Sequence, residues 1–144
     1  MEGIFSELAR LFDGIKRNEK DEILHCTKVL SLKLKQVNET SDFGAEKLAF
    51  IYNKPFQAVI NQNSPSSTIV LDSIELYTSL IQKCRFKSPR EVVSHFAWVP
   101  SFSEKIGQED EPVIEALTSY LKFLFTIQCP DSEAYRYLTK KVLP

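Results

Sequence analysis

A cluster of positive charge around one aromatic residue is the strongest chemical feature of this sequence. The segment Lys83-Cys84-Arg85-Phe86-Lys87-Ser88-Pro89-Arg90 places four cations within eight residues. Such a cluster could contact an anion, which would be a phosphopeptide, a lipid headgroup or a nucleic-acid backbone. Its first three cations also follow the C-terminus of a predicted helix, where positive charge offsets the helix dipole without any ligand. Both interpretations stand, and the candidate partner-binding cations are Lys83, Arg85, Lys87 and Arg90.

The residues that could bind a metal or act as a nucleophile are dispersed. His25 and Cys26 are adjacent, but no C-x-x-C or H-x-x-x-H pair occurs, and Cys84, His95 and Cys129 are far apart. Cys26 falls on the apolar stripe of a predicted helix, where a free cysteine behaves as a small hydrophobic residue. There is no G-x-S-x-G or papain-like signature, and four scattered glycines cannot cradle a phosphate. We therefore expect no enzymatic activity, no metal, no cofactor and no small-molecule substrate.

Three aromatic residues are candidates for contact with a protein partner. Trp98 is the only tryptophan and lies in a short segment that Pro100 interrupts. Tyr77 and Tyr120 lie on two of the long predicted helices. Tryptophan and tyrosine are enriched at binding hot spots, so all three could anchor a partner. For Trp98, packing in the core is the favoured interpretation and surface contact is the alternative.

Helical spacing of apolar residues runs through the whole chain and must position these side chains. It predicts helices over about 4–15, 19–37, 43–62, 65–83, 89–97, 101–106 and 111–128, and a last one opening at 130–133. Pro55 should either split the third helix at Asn53-Lys54 or bend it, and Val99-Pro100 should end the fifth. No segment alternates as a strand would. The predicted fold class is therefore all-α.

Three of these helices, 19–37, 65–83 and 111–128, recur at a nearly even interval. Each follows a candidate N-cap, and these residues, Asn18, Ser64 and Asp110, are separated by two steps of 46 residues. Superposing the apolar positions of the helices gives offsets of 47 and 43 residues instead. A helices-only period of about 40–47 residues is typical of armadillo and HEAT repeats.

On this period and pattern, the chain resembles the armadillo/HEAT superfamily of α-solenoids across most of its length. The resemblance implies a right-handed helical superhelix of about 7–8 helices that serves as a non-enzymatic protein-protein interaction scaffold. Binding would use a groove lined by successive long helices. A weaker similarity is to VHS- and ENTH-type domains, because residues 71–96 combine a long helix, a basic loop and a short helix. This similarity implies a trafficking adaptor that binds membrane headgroups or phosphopeptides through the basic loop. The third alternative is an unrelated helical bundle.

Length, charge and cysteine content limit the remaining possibilities. The 144 residues predict a single α-helical domain over 1–144, and we expect it to be the N-terminal part of a longer protein. A net charge of −1 favours neither nucleic acid nor an anionic membrane. The expected partner is another protein or a peptide, with a membrane surface as the alternative and nucleic acid disfavoured. Three cysteines without tight pairing and the lack of a secretory signal indicate an intracellular protein, cytoplasmic rather than nuclear. The oligomeric state does not follow from the sequence.

Overall fold

All regular structure in the described residues is α-helical. The computed structural model describes residues 2–36, 44–84, 86, 89–107 and 110–126. The helices are α1 (Glu2–Arg17), α2 (Lys20–Gln36), α3 (Ala45–Gln62), α4 (Thr68–Gln82), α5 (Pro89–Phe96), α6 (Val99–Lys105) and α7 (Glu111–Thr126). The all-α prediction is confirmed for these ranges. Cys129, the loop at 38–42 and the helix expected from 130 lie outside them, so the helix count of the whole chain stays a prediction.

Helix α4 lies at the centre of the packing. It contacts α2, α3 and α7, while α1 packs mainly on α2 and also touches α3. The three helices that the sequence places at a regular interval therefore lie side by side in chain order, with α4 between α2 and α7. They begin at Lys20, Thr68 and Glu111, which are 48 and 43 residues apart. The two equal steps of 46 residues predicted from the candidate N-caps are thus wrong. The offsets of 47 and 43 residues obtained from the apolar positions are close to the observed distances between helix starts.

The sequence of α4 explains its central position. Nine of its fifteen residues are buried, and these are Ile69, Val70, Ser73, Ile74, Leu76, Tyr77, Ser79, Leu80 and Ile81. A helix that is apolar on most of its circumference is stable only when other elements cover it. The two buried serine hydroxyls donate to carbonyl oxygens one turn earlier, Ser73 to Ile69 at 2.7 Å and Ser79 to Glu75 at 3.1 Å. Their polar atoms are therefore satisfied without a solvent contact.

Two of the three predicted N-caps have other roles. Asn18 has a φ of 56° and closes α1, because its N–H donates to the Ile15 carbonyl and the Glu19 N–H donates to the Gly14 carbonyl. This is the Schellman arrangement, in which asparagine tolerates the left-handed backbone better than most residues. Asp110 does precede α7 directly, and its carbonyl accepts from the Ile114 N–H.

Ser64 lies in a turn before α4 rather than at its N-cap. Its carbonyl accepts both the N–H of Ser67, at 3.0 Å, and the Ser67 hydroxyl, at 2.6 Å. The helix consequently begins at Thr68, after Ser67 in an extended conformation, and not at Pro65. A serine–proline pair favours a helix start and also favours a turn, and the tertiary contacts of α4 select the turn.

Pro55 and Pro100 both lie within helices rather than between them. Pro55 lies inside α3, which runs unbroken from Ala45 to Gln62, so of the two predicted alternatives the split at Asn53-Lys54 is wrong and a single helix is found. Proline removes one backbone hydrogen bond there, and the burial of Tyr52, Phe56 and Val59 on the same helix offsets that loss. Pro100 lies in the first turn of α6, where its missing N–H costs nothing, so it starts that helix instead of ending α5.

The helices differ in length and polarity from a bilayer-spanning segment. None of those in the described residues is both long enough and apolar enough to cross a membrane. The longest, α3, carries Glu46, Lys47 and Lys54.

Candidate functional site

An open groove crosses the three helices that lie side by side. It has a volume of about 440 Å³ and is bounded by α4, by α7 and by the C-terminal end of α2. Its lining residues are Lys35, Leu71, Glu75, Thr78, Ser79, Gln82, Pro112, Glu115, Ala116 and Ser119. The volume lies within the range of about 300–1,000 Å³ that is usual for ligand pockets. The groove is therefore large enough to receive several side chains of a partner.

Helical periodicity creates the walls of this groove. On α4, Leu71, Glu75 and Thr78 follow one another at intervals of four and three residues, and Gln82 continues the row. On α7, Pro112, Glu115 and Ser119 form the facing row. Because the other faces of α4 are buried, this row is the part of its surface that a partner could reach.

The groove combines charges of both signs with hydrogen-bonding groups. Lys35 comes from α2, and Glu75 and Glu115 come from the facing helices. None of these three is ion-paired with another described residue. Their charged ends therefore remain free for a partner, and Gln82 and Ser119 add amide and hydroxyl groups. Such a set suits an extended polypeptide, which offers backbone amides and charged side chains.

The three aromatic candidates Tyr77, Trp98 and Tyr120 lie together in the core and not at the surface. They are 0 %, 4 % and 0 % exposed, and their ring centroids are 5.2–6.3 Å apart. Trp98 donates its indole N–H to the Tyr120 hydroxyl at 3.5 Å, and Tyr120 donates to the His95 carbonyl at 2.6 Å. Burial of Trp98 agrees with its favoured core interpretation, whereas the expected surface contact of Tyr77 and Tyr120 does not fit their burial. Satisfied polar ends allow large aromatic side chains to pack inside.

His95 belongs to the same buried cluster. Its Nδ1 lies 2.5 Å from the Tyr77 hydroxyl, which also accepts from the Asn53 amide at 2.7 Å. Burial lowers the pKa of His95 to about 4, while the nearby Glu91 carboxylate acts in the opposite direction. The imidazole is therefore neutral at pH 7 and connects α3, α4 and α5 through hydrogen bonds.

Only part of the predicted basic cluster lies in the described residues. Lys83 is half-buried at the end of α4, and Arg90 is exposed on α5. Arg85 and Lys87 lie outside the described residues. Two other residues of the same segment, Cys84 and Phe86, are buried, with exposed fractions of 0 % and 6 %. The membrane-adaptor alternative built on this cluster stays a prediction.

Cys26 is held in a polar contact at the boundary of α1 and α2. Its thiol lies 3.6 Å from a Glu22 carboxylate oxygen, which also forms an ion pair with Arg10 at 2.8 Å. Burial raises the pKa of this thiol to about 11, and the Glu22 charge adds to the effect. Within the described ranges, no three His, Cys, Asp or Glu side chains are grouped as metal ligands would be.

We expect Cys26 to react slowly with alkylating reagents. At pH 8, iodoacetamide should label it about a hundredfold more slowly than a solvated cysteine, because only the thiolate reacts and its fraction falls tenfold for each unit of pKa. Peptide mass spectrometry over a time course would give the rate, and the same chain in urea is the control. Equal rates in native and unfolded protein would contradict this description.

Sequence reasoning did not identify Lys35, Glu75 and Glu115, which carry the charge of the groove. A polar row on a helix usually only faces solvent, so these residues gave no distinct signal. The available signal was the combination of polar spacing on two helices with the repeat interval that places those helices side by side. Comparison of the chain with protein-family models, with curated proteins and with solved structures gave no match in any of the three.

Proposed function

We propose that this chain is a non-enzymatic protein-interaction domain of the armadillo/HEAT kind. It binds an extended segment of another protein in the groove across α2, α4 and α7, and it acts inside the cell as a scaffold. No chemical step is assigned to it.

The observation that carries the proposal is that one open groove is shared by α2, α4 and α7, three helices that lie side by side. Solenoid proteins bind partners in this way, because stacked helices present a continuous concave surface. The free charges of Lys35, Glu75 and Glu115 support recognition of a polypeptide with both basic and acidic side chains. The central helix α4 is held by buried contacts on its other faces, so these contacts fix the position of the groove wall.

The test reverses one charge in the groove. Glu75→Lys should reduce the recovery of bound proteins in quantitative affinity capture from cell extract by at least about tenfold, because a like charge facing a basic partner residue is repulsive. Binding of each lost protein to the purified chain would then be measured directly by titration calorimetry.

Glu104→Lys is the matched control, because Glu104 is exposed on α6 and does not line the groove. It makes the same change in charge and should leave the recovered set intact. If Glu75→Lys and Glu104→Lys recover the same proteins in the same amounts, the groove is not the binding site.

A further inference from the structure

A second cleft lies between α1 and α3, away from the groove of the proposed function. It has a volume of about 290 Å³. Its lining residues are Phe5, Leu8, Ala9 and Phe12 from α1, Gly44 directly before α3, and Lys47, Leu48 and Ile51 from α3. Lys47 is the only charged residue among them. The cleft therefore differs from the first groove, which is lined mainly by polar side chains.

Large apolar side chains in and beside this cleft are exposed. Phe5 is 52 % exposed and Ile51 is 40 % exposed, and Phe50, next to Ile51, is 71 % exposed. Isolated apolar residues on a surface are ordinary, but a contiguous set around a concave site marks an interaction surface. No other described residue covers these side chains.

The spacing of the lining residues matches a helix as the occupant. On α1, the apolar residues fall at positions 5, 8, 9 and 12. The other row begins at Gly44, directly before α3, and continues on α3 through 47, 48 and 51. Each row extends over two helical turns, or roughly 10 Å. An amphipathic helix fills such a site with apolar residues at i, i+3 or i+4, and i+7.

Positive charge flanks the apolar rows on both helices. On α1, Lys16 follows Phe12 by one turn. On α3, Lys47 lies one turn before Ile51, and Lys54 lies about one turn after it. All three lysines are exposed, and none is ion-paired with a described residue. The nearest exposed acid on α1, Asp13, is already paired with Arg17 at 3.3 Å. Among the described residues of α1 and α3, the exposed charged side chains without an ion-pair partner are therefore all lysines.

We propose that the α1/α3 cleft binds an amphipathic helix of another protein, with apolar residues on one side and acidic residues at the flanks of that side. The apolar residues enter between Phe5 and Ile51. The acidic residues meet Lys16, Lys47 and Lys54. This site is independent of the groove across α2, α4 and α7, so either one can be wrong without the other.

The test is a selection from a displayed library of helical peptides whose apolar face is fixed and whose flanking residues are random, against the full chain. We expect enrichment of Asp and Glu at the flanks. Ile51→Asp should weaken the binding of a selected peptide at least about tenfold by fluorescence anisotropy, since it places a charge in the apolar row. Lys47→Glu should weaken the same peptide and favour peptides with basic flanks.

Ile114→Asp is the matched control, because Ile114 is 39 % exposed on α7 and does not line the cleft. It should leave peptide binding unchanged. Enrichment of neutral or basic flanks, equal weakening by Ile51→Asp and Ile114→Asp, or no enrichment at all would overturn the proposal. A concentration-dependent dimer that Ile51→Asp abolishes would also overturn it, because the occupant would then be a second copy of this chain.

Discussion

Replacing Phe56 with alanine is expected to lower the free energy of unfolding by about 3–5 kcal/mol. Phe56 is fully buried on α3 and packs at ring-centroid distances of 4.8 Å from Tyr77 and 4.7 Å from Trp98. The substitution removes these aromatic contacts and leaves a cavity that the surrounding rings cannot fill by small movements. Urea unfolding followed by far-UV circular dichroism would measure the change.

Phe50→Ala is a closely matched control. Phe50 is six residues earlier on the same helix and is 71 % exposed. The same substitution there should change the free energy of unfolding by less than about 0.5 kcal/mol. Similar losses for the two variants would show that Phe50 is covered in solution, and they would contradict the exposed surface beside the α1/α3 cleft.

Acid should destabilise the fold through His95. Its pKa is about 4 in the folded chain against 6.5 for the unperturbed imidazole, so the unfolded chain takes up a proton before the folded chain does. The contribution of His95 to the free energy of unfolding is therefore fully present above pH 6.5. It is lost as the pH falls from 6.5 towards 4. The total loss is about 3 kcal/mol, which follows from 1.36 kcal/mol for each unit of pKa.

The measurement is the free energy of unfolding in urea at several pH values between 7.5 and 4. Other groups also titrate in this interval, so the His95→Gln variant has to be compared with the wild-type chain under the same conditions. The difference between the two curves should decrease by about 3 kcal/mol as the pH falls, because glutamine cannot take up the proton. His25→Gln, at an exposed position on α2, is the matched substitution. If the His95→Gln and wild-type curves stay parallel, the buried neutral imidazole is not the origin of the pH dependence.

The His95 effect reaches both candidate sites through α4 and α3. Tyr77, which contacts His95, lies on the helix that forms one wall of the groove across α2, α4 and α7. Asn53, which bonds to Tyr77, lies on the helix that forms one wall of the α1/α3 cleft. Loss of this buried network would therefore loosen both walls, so binding assays on either site should be done above pH 6.5.

Helices could be predicted from the sequence because their main signal is local. The spacing of Leu8 and Leu11 on α1, or of Leu30 and Leu34 on α2, needs no knowledge of the partner surface. Helix ends were less predictable. Asn18 and Ser64 are residue types that suit a cap, a turn or a left-handed closing position, and only the neighbouring backbone decides among these roles.

The position of aromatic side chains depends on long-range contacts. Sequence spacing gives no means of distinguishing Trp98 in the core from Trp98 at a binding surface, because both environments favour a large amphipathic ring. The difference arises from residues far apart in the chain, since Trp98 meets Phe56 and Tyr120 in the fold. The charged residues of the groove, Lys35, Glu75 and Glu115, come together for the same reason.

The sequence by itself therefore determined the all-α class of the described residues, because apolar periodicity and turn chemistry act within a few residues. Only the tertiary structure decided which aromatic residues are buried, where Pro55 and Pro100 are tolerated, and which polar and apolar rows meet in a groove or a cleft. These outcomes depend on contacts between distant segments, whose free energy exceeds the weak local preferences of single residues.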